Sequence, residues 1–135
     1  MTAKQISIFI ENRQGRLAEV TDIISKNNVN IRALSVADTT SFGILRLIVD
    51  EPERLESIMR ANQVTASITS VIAVCINDRP GGLGELLHLL EDIQIEYMYS
   101  YVSESDDACI ILRVDRDAEA LERLTKAGFR GPKNV

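Results

Sequence analysis

One pattern of apolar and polar positions runs through the chain twice. Residues 5–11 alternate, which puts Ile6, Ile8 and Ile10 on one face and predicts a strand. Leu17, Val20, Ile23 and Ile24 then recur at helical spacing until Asn27-Asn28 ends the stripe. Two extended runs follow, residues 30–38 and 42–49, and the polar turn Thr39-Thr40-Ser41 between them reads as a hairpin. Asp50 and Glu53 have the spacing of a capping box with Pro52 in the first turn, ahead of a helix with Leu55, Ile58 and Met59 on one side. Residues 63–69 supply a fourth strand.

The second half repeats this order. Residues 71–77 are extended, and Leu83, Leu86, Leu87, Leu90 and Ile93 form a helical stripe. Residues 95–104 and 108–114 give a hairpin, and Asp115 or Asp117 caps a helix on Ala118, Leu121 and Leu124 that stops at Gly128. In the closing stretch 129–135, Gly131-Pro132 permits at most a short edge strand. Strand, helix, strand, strand, helix, strand is the split βαβ arrangement, so the fold class is α+β: two ferredoxin-like βαββαβ units, antiparallel sheets with helices on one face. The units divide as 1–70 and 71–135. No Gly- or Ser-rich linker separates them, which predicts packed rather than tethered halves.

The strongest repeated element is the loop between the first strand and first helix of each unit. Asn12-Arg13-Gln14-Gly15-Arg16-Leu17 recurs as Asp78-Arg79-Pro80-Gly81-Gly82-Leu83, and the glycines are 81 − 15 = 66 residues apart. Glycine removes the Cβ that blocks close approach, and a first helical turn leaves backbone N–H groups without partners. Such a corner can hold a carboxylate.

Composition narrows the picture. Units of about 66 residues are small enough to lean on each other and on a second chain, because a domain of about 60 residues buries only about 60% of its unfolded surface. A net charge of −5 argues against a nucleic-acid backbone as partner. The start, Met1-Thr2-Ala3-Lys4-Gln5, has no secretory pattern and no apolar run nears the length of a membrane span, so a cytoplasmic location with no membrane partner is expected. Cys75 and Cys109 lie in apolar runs without metal or redox spacing and are expected as buried thiols.

These residues resemble a known family. The loop with its helix and the run Asn-Val-Asn-Ile-Arg-Ala-Leu-Ser-Val-Ala-Asp (28–38) resembles the start of an ACT domain. Asp-Arg-Pro-Gly-Gly-Leu-Gly-Glu (78–85), with Ile-Gln-Ile-Glu-Tyr-Met-Tyr-Ser-Tyr (93–101), resembles it more closely. The likeness runs from about Gln5 to Phe129 and has the form of a stand-alone tandem. It departs from the family pattern at Gln14, where proline is usual, and in the stunted last strand. The resemblance implies a regulatory role, with a small molecule, most often an amino acid, bound where the loop of one domain faces the second strand of its neighbour. A metabolic enzyme as partner is implied as well, and a homodimer is expected because each small unit leaves a sheet face or edge that the chain cannot cover.

On that reading the ligand-binding residues are Asn12, Gly15, Arg16, Leu17, Asn30 and Ile31 in the first unit, and Asp78, Pro80, Gly81, Gly82, Leu83, Glu96 and Tyr97 in the second. Amides around Gly15 or Gly81-Gly82 suit a carboxylate, while Asn12 with Asn30, or Asp78 with Glu96, suit an ammonium. The second loop is favoured for its two glycines, its stiffening Pro80 and its acidic pair. The same loop residues equally serve a tight turn, leaving a constitutive protein–protein interaction module as the alternative. No cofactor or metal site is expected. Nor is an enzyme: the single histidine, His88, has no nucleophile placed beside it, and no metal-ligand spacing exists.

Overall fold

The computed structural model describes residues 1–38, 42–103 and 108–133. The turn at 39–41, the end of the hairpin strand at Glu104 and the last two residues lie outside them. The elements are β1 (Thr2–Glu11), α1 (Arg16–Lys26), β2 (Ile31–Asp38), β3 (Phe42–Val49), α2 (Pro52–Ala61), β4 (Ala66–Ile76), α3 (Gly82–Leu89), β5 (Ile95–Val102), β6 (Ala108–Val114) and α4 (Asp117–Lys126). The α+β order read from the sequence is thus the order of the fold. The two expected strands around Ser70 are one strand, β4, because nothing in Ser67-Ile-Thr-Ser70 interrupts extended backbone.

Two compact units result. One is Lys4–Thr69; the other combines Met1–Ala3 with Ser70–Val135. In the N-terminal unit the strands are ordered β2-β3-β1-β4. The antiparallel register sets Ile6 against Leu47 and Ile8 against Leu45. Alternation turns those four side chains to one face, where Val20 and Ile24 of α1 and Leu55 and Met59 of α2 cover them. Burying each such side chain contributes about 1.5–3 kcal/mol relative to leaving it in water. Leu17, which fits the same stripe, is 40% exposed at the first turn.

In the C-terminal unit the order is β4-β6-β5, with Ile72 opposite Leu112. Leu86 and Leu90 from the α3 region and Ala120 and Leu124 of α4 close that core. The outer side of β4 is occupied by two separate pieces of chain. The amide of Ala73 donates to the carbonyl of Met1 at 2.8 Å, and that of Cys75 to Arg130 at 2.7 Å. The stunted last strand is therefore a single bridge at Arg130.

The expected helix caps take another form. Neither α2 nor α4 has a side-chain cap. Asp50 instead accepts the Asn30 amide at 3.0 Å, while its own amide donates to Asn30 at 3.3 Å. Asp115 makes the same pair of bonds with Gln94, at 3.1 and 3.2 Å. Each aspartate thus staples the end of a hairpin to the residue before its first strand. Glu53, the other half of the expected capping box, pairs with Lys4.

The cysteines also depart from expectation. Cys75 and Cys109 stand directly opposite in the β4–β6 ladder, with Cα atoms 4.0 Å apart, and are joined as a disulfide. Spacing along the chain could not reveal this, since register alone makes them neighbours. The bridge spans 34 residues of sequence. Loop-closure entropy for that span corresponds to about 4 kcal/mol at most.

Two predictions follow from these contacts. Reduction with dithiothreitol should lower the stability of the protein in urea melts by about 2–4 kcal/mol, and Cys109→Ser should reproduce the loss without reductant. The second concerns Asp92, whose carboxylate accepts both guanidinium nitrogens of Arg123, at Oδ1 and at 2.9 Å to Oδ2. Arg123 holds the Asp92 carboxyl at about 2, below its ordinary 3.8. A carboxyl lowered in the folded state stabilises the fold above its ordinary value, and that contribution disappears as pH falls toward 2. Urea melts between pH 4 and pH 2 should therefore show a fall in stability whose slope is reduced in Asp92→Asn.

Candidate functional site

Both glycine loops are built alike, from the end of a strand upward. The amide of Arg13 donates to the carbonyl of Glu11 at 2.9 Å, and the amide of Arg16 to Arg13 at 3.3 Å. In the second copy Arg79 donates to Asn77 at 2.9 Å and Gly82 to Arg79 at 3.0 Å. The turn then needs a left-handed residue at the helix N-cap, filled by Gly15 (φ 82°) and Gly81 (φ 89°). The amides of Glu19 and Glu85 return to the carbonyls of these glycines at 3.1 and 3.0 Å. Between those bonds lie the first-turn amides of Leu17 and Ala18, and of Leu83 and Gly84, the positions a helix leaves without internal acceptors.

The recurrent loop arginines are each paired with a glutamate of the following helix. Arg13 grips both oxygens of Glu19, at 3.1 and 2.9 Å, and Arg79 pairs with Glu85. Arg16 lies between Glu11 at 2.7 Å and Glu19 at 3.1 Å, its side chain 17% exposed. Hydrogen bonds from Arg13 and then Arg16 hold the Glu19 carboxyl below the usual range. The sequence shows both recurring partners, Arg13 with Arg79 and Glu19 with Glu85, but a contact bent back across a turn follows no helix spacing.

Gly82 has a structural duty of its own. A Cβ there would lie 1.9 Å from the carbonyl oxygen of Asn77, so its bareness serves the turn, and its amide is already spent on Arg79. Arg16 at the matching place of the first loop carries a Cβ without harm. Leu17 and Leu83 are both partly exposed, at 40% and 36%. Pro80 and Asp78 are exposed at the second turn.

Within each unit the second-strand residues lie away from that unit's own loop. Within the N-terminal unit the loop end of the sheet is marked by Ile10 opposite Gly43 and Asp38 opposite Gly43, whereas β2 opens at the far end with Ile31 opposite Val49. Asn30 and Ile31 are thus at the other end of the ladder from Asn12 and Gly15. Ile31 packs against the core, and Asn30 spends its backbone on Asp50. The same holds for Glu96 and Tyr97, since Tyr97 is opposite Arg113 while Val102 and Ile76 both meet Ala108 near the second loop. Glu96 pairs with Arg113 at 3.5 Å, and Tyr97 stacks on Tyr99 with ring centres 6.5 Å apart. Moreover, Asn30 and Glu96 are not equivalent: the shared staple aligns Asn30 with Gln94, and the bulges at 31/33 and 95/97 agree.

What the first loop does meet is the other end of β2. Asn12, Arg13 and Leu17 join Ile10, Val36, Asp38 and Gly43 around a cavity of about 260 Å³. Leu17 and Val36 give it apolar lining and Asp38 brings a carboxylate, while that of Glu11 is paired with Arg16. Sequence reasoning missed Val36, Asp38 and Gly43. Their signal was the strand ladder, which places the end rather than the start of β2 beside the loop. His88 is exposed beside Glu91, and no cluster of metal-ligating side chains occurs among the described residues.

The two α3 glycines separate these roles in an experiment. Gly82→Ala should destabilise the protein by about 1–3 kcal/mol, because backbone must move to admit the methyl group. Gly84→Ala, where nothing lies within 4 Å of the new Cβ, should stabilise it by up to about 0.5–1 kcal/mol. Chemical denaturation of the two variants beside the parent gives both values.

Comparisons with known proteins place this arrangement. A protein of Bacteroides thetaiotaomicron, known from its crystal structure, is 37% identical, with a TM-score of 0.87 over 96% of this chain and 90% of that one. The regulatory subunit of aspartate kinase from Thermus thermophilus, in ligand-free form, is 14% identical with a TM-score of 0.62, covering 93% of this chain and 91% of that one. That of Thermus flavus is 10% identical with a TM-score of 0.60, covering 92% and 91%. The latter two show likeness of fold. No curated protein sequence matches. A family model described as an ACT domain pair matches residues 1–129, nearly the whole chain, and the chain belongs to that family.

Proposed function

We propose that the chain is a non-catalytic regulatory module that binds a small molecule, an amino acid, at its glycine loops next to an interface with a second copy. The observation that carries this reading is the cavity beside Asn12 and Leu17. An amino-acid carboxylate suits the first-turn amides of Leu17 and Ala18, which carry the partial positive charge of the helix start. Its ammonium suits Asp38, and an apolar side chain suits Leu17 and Val36. On this view the first loop is the stronger site, since Gly82 in the second is committed to packing. The fold likeness to regulatory subunits of aspartate kinase supports action on a metabolic enzyme in trans.

A constitutive interaction module is the second reading, favoured by β2. This edge strand of the N-terminal unit exposes Leu34 and Val36, at 58% and 48%. An apolar sheet edge is a surface that a second copy can cover, and a homodimer belongs to both readings. In the described residues no helix is long and apolar enough to cross a membrane. We take the setting to be cytoplasmic, where thiols are kept reduced, so binding is to be measured with and without dithiothreitol.

Thermal shift against the common amino acids tests the first reading. A ligand at about 100 times its Kd stabilises the protein by about 2.7 kcal/mol, several degrees in Tm. One or a few amino acids should do so, and Asp38→Asn should reduce the response at least about tenfold in apparent Kd. A flat panel under both redox conditions, with dimerisation by sedimentation, would leave the interaction module as the function.

A further inference from the structure

The two units end differently on the outer side of their first strands. In the N-terminal unit the amide of Phe9 donates to the carbonyl of Thr65 at 2.9 Å, and the chain runs on as β4 with Ala66 and Ile68 packed on the core. The matching bond in the C-terminal unit joins Cys75 to Arg130. There the likeness stops, because Met1 holds the next place on β4 and the tail leaves at Gly131-Pro132. A Cβ at residue 131 would stand 3.0 Å from the Met1 Cα and 3.2 Å from the Ala73 carbonyl oxygen, so glycine lets the tail pass.

Between α3 and this departing tail lies a cavity of about 600 Å³. That is within the range of about 300–1,000 Å³ usual for small-molecule sites. Its position is held before any ligand arrives. The amide of Gly128 donates to Thr125 at 3.1 Å and that of Phe129 to Leu124 at 3.0 Å, and the disulfide anchors Cys75 in the floor. Ile76, Leu89 and Phe129 supply apolar lining, and Arg130 and Lys133 bring positive charge from the tail. The lining acid, Glu85, is already engaged by Arg79. Neither Arg130 nor Lys133 has an ion-pair partner among the described residues.

We propose that this cavity binds a small amphipathic carboxylate, its anion held by Arg130 and Lys133 and its apolar part laid against Leu89, Ile76 and Phe129. With Glu85 paired to Arg79, the unpaired charges of the lining are the two cations, and Asn77 brings only a neutral amide, so the lining favours a carboxylate that carries no ammonium. The class is therefore arylacetate-like or 2-oxo acids rather than amino acids. This site is separate from the cavity at the first loop, which is lined by residues of the other unit, and the failure of either leaves the other standing.

The test is titration of the ¹⁵N-labelled full chain with phenylacetate and with its neutral isostere phenylacetamide. Phenylacetate should give saturable shifts at the amides of Leu89, Gly128, Phe129 and Gly131, and phenylacetamide should bind at least about tenfold more weakly. Both cationic side chains are exposed, so the double variant R130Q/K133Q should keep its Tm while losing about tenfold in phenylacetate affinity. Should the double variant melt differently, salt decides with the parent protein. Raising sodium chloride from about 50 to about 500 mM should weaken phenylacetate and leave phenylacetamide unmoved. Shifts centred elsewhere, no saturable shifts, equal binding of the two probes, or affinity insensitive to both the double substitution and salt would each overturn the proposal.

Discussion

The constraint behind the rest of the architecture is that β4 has two duties and no slack. Its first residues close the sheet of the N-terminal unit, and from Ser70 onward it opens the sheet of the C-terminal unit. A strand without a linker cannot bring with it a fresh neighbour for its second half. The hydrogen-bonding groups of Ala73 and Cys75 still need partners, since an unpaired buried amide costs about 1–3 kcal/mol. Met1 and Arg130 answer that need from opposite ends of the chain. Gly131 is the steric condition for both to fit.

The glycine loops show how repetition and divergence divide the work. Left-handed glycines at residues 15 and 81 and an arginine gripping a helix glutamate are common to both, and these set the turn. The next residue separates them. Arg16 builds an ion-pair cluster with Glu11 and Glu19, whereas Gly82 is pressed against the Asn77 carbonyl. The first loop opens onto a cavity that reaches Asp38, while in the second the residue after the left-handed glycine has no room for a side chain.

Much of the fold was legible because periods of 2 and 3.6 distinguish strand from helix wherever one face is buried. Ile6, Ile8, Leu45 and Leu47 on one side, and Val20, Ile24, Leu55 and Met59 above them, follow directly from that rule. Periodicity says less about where a helix overhangs its sheet, which is why Leu17 fits the stripe yet stays exposed. It says nothing about register across strands, which made neighbours of Cys75 and Cys109. Of the candidate site, the loop was legible as a structural element because glycine and the helix start announce it. The residues beside it in its own unit, Val36, Asp38 and Gly43, were not. Asn30 and Glu96 look equivalent in sequence, but two residues fewer separate loop and strand in the second unit, and the staples from Asp50 and Asp115 align Gln94 with Asn30.

The bridge between β4 and β6 also decides what a broken chain would do. The segment between Cys75 and Cys109 contains α3, β5 and the residues around the second glycine loop. A protease cut anywhere inside that segment opens a closed covalent ring rather than severing the molecule. The halves would stay attached through sulfur, and a nick that is silent under oxidising conditions would become a separation into fragments once thiols are restored.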